Sequence, residues 1–216
     1  MTVPSVPAKP TPSGSPPSAG PPRGRSRLKR VLLAIGGIFV VLTAVVLVLA
    51  ARKPHVFRMQ RSITIQAPPE RIYESLEDFR NWGAWSPYEK LDPNMQRTYG
   101  GAERGVGATY AWSGDSNAGE GRMEIMDATP PNRLALSLDF TRPMEASNVV
   151  VFTLEPTDSG TQVTWSMEGP NPFLGRIIHV LIDVEGMVGE QFDEGLANLK
   201  RVAETSPETS TSQALP

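Results

Sequence analysis

Asn171–Glu204 reads NPFLGRIIHVLIDVEGMVGEQFDEGLANLKRVAE, and this stretch decides how the chain folds. Apolar residues recur at Ile178, Leu181, Ile182, Val188, Phe192, Leu196, Leu199 and Val202. Most of these steps are three or four residues, the mark of an amphipathic helix. Pro172 suits the start of a helix, where a first-turn N–H has no partner to lose. The spacing predicts one long helix over the whole stretch, far beyond the average of about 11–12 residues. Its apolar stripe needs a matching surface, which the residues before it supply.

Those residues alternate. Phe57–Ala67 places Phe57, Met59, Ile63 and Ile65 on one parity and Arg58, Gln60, Ser62 and Thr64 on the other, so it reads as a strand. Pro68-Pro69-Glu70 opens a helix to about Asp78, with Ile72, Tyr73 and Leu76 inward. Arg80–Glu89 gathers two Trp and a Tyr around Gly83 and Pro87, a compact loop or short second helix. Its aromatics read as core or as an exposed rim. Six further strands are expected near 94–100, 106–113, 119–128, 132–141, 146–156 and 160–169. Gly-, Pro-, Asn- and Asp-rich turns separate them. Leu134, Leu136, Leu138 and Phe140 share one face, as do Val150, Phe152 and Leu154, and Val163, Trp165 and Met167. Such alternation marks an antiparallel sheet with one wet and one covered face.

The order of strand, one or two helices, six strands and long helix resembles the START-like, or SRPBCC, superfamily. So do the WGAWSPY loop, the GTQVTWSMEG last strand and the FDEGLANLK helix end. Within that superfamily the chain is most similar to bacterial polyketide cyclase/dehydrase-like proteins, over about residues 57–204. The resemblance implies an α+β helix-grip fold: a curved antiparallel sheet wrapped on a long C-terminal helix. It also implies a cavity between them for lipids, hormones, polyketides or other hydrophobic ligands. It brings no shared catalytic motif, so no catalytic residue is assigned.

A curved sheet under a helix leaves space that side chains either fill or line. The expected lining is Trp112, Met123, Ile125, Leu136, Leu138, Phe152, Trp165, Met167, Leu181, Ile182 and Met187. Methionines adapt their shape, so Met123, Met167 and Met187 suit a permissive pocket. The competing reading makes these residues plain core. Gly186 and Gly189 fall inside the long helix, each costing about 1 kcal/mol against Ala. Close packing on the sheet or a mobile helix accounts for them.

Before this region lies a leader of different character. Residues 1–22 are mostly Pro, Ser, Ala, Gly and Thr, too polar to bury a core, so a disordered tail is expected, and the basic segment to residue 30 continues it. A short polar tail is also expected at 205–216. Arg23, Arg25, Arg27, Lys29 and Arg30 precede Val31–Ala51, a run of 21 residues without charge. As a helix it spans about 31 Å, the thickness of a bilayer core. A cleavable signal peptide is the rival reading, with Ala50 and Ala51 as its small residues. The apolar run exceeds the usual 7–15 residues of such a peptide, however. The cationic cluster favours a single-pass span with a cytoplasmic N-terminus and the folded domain outside the cell membrane.

Charge and composition restrict the partners. Residues 1–56 carry eight Lys/Arg and no acid, whereas residues 57–216 carry thirteen Lys/Arg against twenty-three Asp/Glu, a net of −10. An acidic domain argues against nucleic acid. Without cysteine there is neither disulfide nor thiolate site, and with only His55 and His179 a transition-metal site is not expected. His179 and Asp183 stand four apart, as an acid/base pair or an ordinary surface pair. The Gly100–Gly107 loop looks phosphate-like but joins two strands and opens no helix. Glu120, Glu124 and Asp139 read as a solvated face.

Two functions follow: a membrane-anchored module binding a hydrophobic small molecule or lipid, or a cyclase-type enzyme acting on an apolar substrate in the same cavity. Polar side chains converging inside would favour the enzyme, an apolar wall the binder. No cofactor is expected, and residues 57–204 are expected to fold as one monomeric unit.

Overall fold

The computed structural model describes residues 24–205, and of the tails expected at either end residues 1–23 and 206–216 lie outside it. The chain divides into two compact units, 1–44 and 45–216. Helix α1 (Gly24–Arg52) starts within the basic segment, so residues 24–30 are helical rather than tail. Within its stretch Lys29–Arg52 an 18-residue window reaches a mean hydropathy of 3.0, and the helix is long and apolar enough to cross a bilayer, a test that a signal sequence also meets.

The second unit is an α+β fold built on one antiparallel sheet. Its strands are β1 (Val56–Ile65), β2 (Gln96–Gly101), β3 (Ala108–Ser113), β4 (Glu120–Thr129), β5 (Arg133–Arg142), β6 (Ala146–Thr157) and β7 (Gly160–Pro170). The spatial order is β1-β7-β6-β5-β4-β3-β2, so only β1 crosses over, pairing with the last strand. Two register shifts in β4, at Glu120/Gly121 and Ile125/Asp127, bend the sheet. The alternation seen in the sequence sets the faces: Leu134, Leu136, Val150, Phe152, Leu154, Val163 and Trp165 are buried.

Helix α2 (Pro69–Glu77) buries Ile72, Tyr73 and Leu76. Two 3₁₀ turns follow, Phe79–Ala84 and Pro87–Lys90. Trp82 and Trp85 anchor this segment, donating their indole N–H groups to the α2 carbonyls of Leu76 (3.0 Å) and Ser75 (3.1 Å). Those carbonyls lie at a helix end and lack intrahelical donors, so the two tryptophans satisfy them. The WGAWSPY aromatics are thus largely core: Trp85 is fully buried among Trp82, Phe152 and Trp165.

The C-terminal stretch is two helices, not one: α3 (Phe173–Leu181) and α4 (Val184–Thr205). Ile182 takes an extended conformation, with φ −131° and ψ 137°. Asp183 Oδ1 then accepts the Gly186 N–H at 2.9 Å, a side-chain cap that starts α4 afresh. A Cβ on Gly186 would lie 2.4 Å from Asp183 Oδ2, so this glycine serves the cap. Helix α4 lays Phe192, Leu196, Leu199 and Ala203 on the sheet. Gly195 permits the approach, since a Cβ there would sit 2.7 Å from the Trp165 ring.

Candidate functional site

Between sheet and α4 lies a cavity of about 250 Å³. Its floor is Tyr110 and Trp112 of β3, Met123 of β4, Leu136, Leu138 and Phe140 of β5, Val150 of β6, and Trp165 and Met167 of β7. Val188 and Phe192 of α4 roof it, with Phe192 stacked on Trp165 at 4.0 Å between ring centroids. Trp82, Ser86, Tyr88 and Glu89 form one wall, while Leu91, Met95, Asn117 and Ala118 close the end. Buried Asp92 fixes that end: its two carboxylate oxygens accept the backbone N–H groups of Asn94 (2.8 Å) and Asp115 (2.9 Å).

Of the residues expected to line the space, Trp112, Met123, Leu136, Leu138, Trp165 and Met167 do so. Ile125 and Phe152 do not: both are fully buried in packed core. Leu181, Ile182 and Met187 also do not, being 65%, 51% and 62% exposed. The helix break is the reason, because the continuous helix that would have turned them inward does not exist. Sequence reasoning missed the wall from the 3₁₀ segment. A tyrosine next to Pro87, in a stretch without helical or strand periodicity, gave no sign of facing a cavity. Tyr110 and Phe140 were legible, since each shares parity with a residue that was named.

The polar groups fall into two sets. Glu89 is already engaged: Oε1 accepts the Tyr110 hydroxyl at 2.6 Å, and Oε2 accepts Arg97 Nε at 2.7 Å. Arg97 Nη1 and Nη2 donate to the carbonyls of Met95 and Glu89. Burial, and then the Glu89 hydrogen bond, pushes the Tyr110 phenol far above its ordinary pKa, so it stays a donor. Tyr88 differs. Burial alone raises its pKa well above the ordinary value of 10.0, and its hydroxyl has no hydrogen-bond partner among the described residues. A protonated, unpartnered phenol in a largely apolar lining can donate one hydrogen bond to a guest. Nearby, the Trp165 indole N–H is buried and also unpaired.

The other candidate chemistry is absent from this site. Asp183 is committed to its cap, and the His179 ring packs edge-on against Phe57 at 5.3 Å, so no acid/base pair forms between them. In the glycine loop the Gly105 and Gly107 N–H groups donate to the carbonyls of Glu77 and Ile125, which leaves no cradle for a phosphate. Glu120 and Glu124 pair with Arg142 and Arg122 at the surface. Among the described residues no three His, Asp or Glu side chains converge as metal ligands would.

Protein MLL2253 from Mesorhizobium loti is 19% identical, with a TM-score of 0.53, over 70% of this chain and 99% of its own. Protein CV1439 from Chromobacterium violaceum is 17% identical, with a TM-score of 0.50, over 71% and 100%. SA2116 from Staphylococcus aureus, a protein of unknown function, is 10% identical, with a TM-score of 0.52, over 69% and 94%. At such identities the likeness speaks for the fold, and it agrees with the helix-grip architecture. No curated protein matches the chain. A family profile described as "Polyketide cyclase / dehydrase and lipid transport" matches residues 56–204, the sheet and both C-terminal helices. That match spans well over half of the chain, and the protein belongs to the polyketide cyclase/dehydrase and lipid transport family.

Proposed function

We propose that the protein is a membrane-anchored module that binds a small hydrophobic molecule, or the apolar part of a lipid, between the sheet and α4. The observation that carries this is the cavity of about 250 Å³ with its almost wholly apolar lining. Ligand pockets commonly run about 300–1,000 Å³, so this one suits a compact guest or one end of a longer chain. The free Tyr88 hydroxyl favours a guest with one neutral acceptor, such as a carbonyl, over a carboxylate, since no free cation lines the wall. The cyclase reading is less well supported, because the one lining carboxylate, Glu89, has both oxygens occupied.

The anchor is Val31–Ala51 within α1, uncharged for its whole length and solvent-exposed along nearly all of it. Lipid satisfies such a surface and water does not. The basic residues before it support a cytoplasmic N-terminus and a domain outside the cell membrane. Native mass spectrometry of the detergent-extracted full chain, followed by extraction and identification of co-purified small molecules, tests the binding reading. A stoichiometric apolar adduct is the expected outcome. A chain that never carries an adduct, even after incubation with lipid and aromatic ketone mixtures, would refute it.

A further inference from the structure

We propose that α3 and the turn after it form an interfacial foot. In this arrangement Leu174, Leu181, Ile182 and Met187 sit at the headgroup–acyl boundary of the bilayer that α1 crosses. This rests on the anchor reading above.

Helix α3 is amphipathic the wrong way round. Leu174 and Leu181, seven residues apart and so on one face, are 61% and 65% exposed. Phe173, Ile182 in the break, and Met187 in the first turn of α4 are exposed as well. Arg176, by contrast, is buried: its guanidinium lies over the Phe173 ring at 5.2 Å, and its Nε has no hydrogen-bond partner. His179 is also turned inward, onto Phe57. Arginine is among the residues least often buried without a partner, and leucine among those most often buried. A helix that hides its cation and shows its leucines in water pays twice, whereas against lipid the exposed leucines are in their preferred medium.

The chain places lipid beside it. The end of α1 belongs to the same compact unit as α3. Leu49, Arg52, Lys53 and Pro54 share a surface groove with His179 and Val180. Asn171, two residues before α3, donates its backbone N–H to His55 O (2.8 Å) and its amide to Pro54 O (3.3 Å). Lys53 pairs with Glu185 at 3.7 Å on the other side of the turn. With Asp183 used as a cap and Glu185 paired, the nearby acids are accounted for, and Arg52 suits an anionic headgroup.

The sequence has no cysteine, so single-cysteine labelling of the full chain is clean. Leu174→Cys, Leu181→Cys and Met187→Cys, each carrying an environment-sensitive fluorophore, are reconstituted into vesicles of phosphatidylcholine and phosphatidylglycerol. Ile38→Cys reports on the span, and Val106→Cys, exposed in the β2–β3 turn, reports on water. These positions are exposed, so the label displaces no packing. Lipids spin-labelled near the headgroup are expected to quench the three foot positions, lipids labelled near the chain end to quench Ile38→Cys, and neither to quench Val106→Cys. Deep quenching at Ile38→Cys with water-like emission at the foot would overturn the foot and leave the anchor standing. Water-like emission at Ile38→Cys would overturn both. Foot labels shielded from lipid but close to those of a second copy would overturn the proposal in favour of a dimer face.

Discussion

Replacing Gly195 with alanine tests how tightly α4 is held on the sheet, and so whether the cavity has a rigid roof. Within a helix, Ala is favoured over Gly by about 1 kcal/mol, so a site with room would be stabilised. Gly195 has no room. Its new Cβ would stand 2.7 Å from Trp165 Cζ3 and 3.1 Å from Pro87 Cδ. Trp165 cannot easily yield, being stacked on Phe192 and flanked by Trp85 and Phe152. Overpacking of this kind costs about 1–3 kcal/mol. Clash and propensity together leave a net loss of about 0–2 kcal/mol. Gly189 is the internal control. Its Cβ would meet only the tip of Arg61, a flexible side chain. The Arg61–Asp193 pair that would be displaced is exposed and worth at most about 1 kcal/mol. Gly189→Ala is therefore expected to be close to neutral. Thermal unfolding of the full chain in detergent, followed by tryptophan fluorescence, reads the difference, with 1 kcal/mol moving Tm by about 2–4 °C. Gly195→Ala is expected to melt below Gly189→Ala. The reverse order would refute the claim that α4 is seated directly on Trp165.

Asp183→Ala removes the side-chain cap of α4 and is expected to cost about 0.5–2 kcal/mol, read as a lower Tm with the fold retained. Tyr88→Phe removes an unpartnered hydroxyl, so stability is expected to hold. Affinity for a carbonyl-bearing guest is expected to fall by the worth of one hydrogen bond, about 0.5–1.5 kcal/mol, measured by isothermal titration against a matched hydrocarbon. Burial, helped by the Lys53 charge and opposed by that of Glu185, holds the His179 imidazole below its ordinary 6.5. As pH falls past 6.5 the unfolded chain therefore takes up this proton first, so stability present above 6.5 is lost as pH falls through the folded value. Denaturant titrations at pH 7 and about pH 5 are expected to show that loss, and His179→Phe to lessen it.

Most of the sheet was legible because its chemistry repeats every two residues: Leu134, Leu136 and Leu138 say the same thing three times. The helix break was less so, since neither Pro nor Gly interrupts Ile182-Asp183. The gap from Ile182 to Val188 did break the three-and-four spacing, and Asp183 is a residue type that caps a new helix start. Leu181, Ile182 and Met187 misled for a physical reason: periodicity reports which residues share a face, not whether water, protein or lipid covers it. Six of the eleven expected lining residues reach the cavity because strand parity fixes them. Ser86, Tyr88 and Glu89 escaped notice because the 3₁₀ segment owes its place to Trp82 and Trp85 reaching back to α2, a tertiary cause with no local signature.

The most direct test of the central claim is a titration of the full chain with a small fluorescent ketone, run beside Met123→Trp. Met123 is nearly buried on β4 and lines the floor opposite the α4 roof, so an indole there fills the space a guest would occupy. Saturable binding by the natural sequence, lost in Met123→Trp with Tm changed by less than about 4 °C, is the predicted result. No binding by the natural sequence, together with a Met123→Trp melt lowered by the about 1–3 kcal/mol that overpacking a solid core costs, would contradict it.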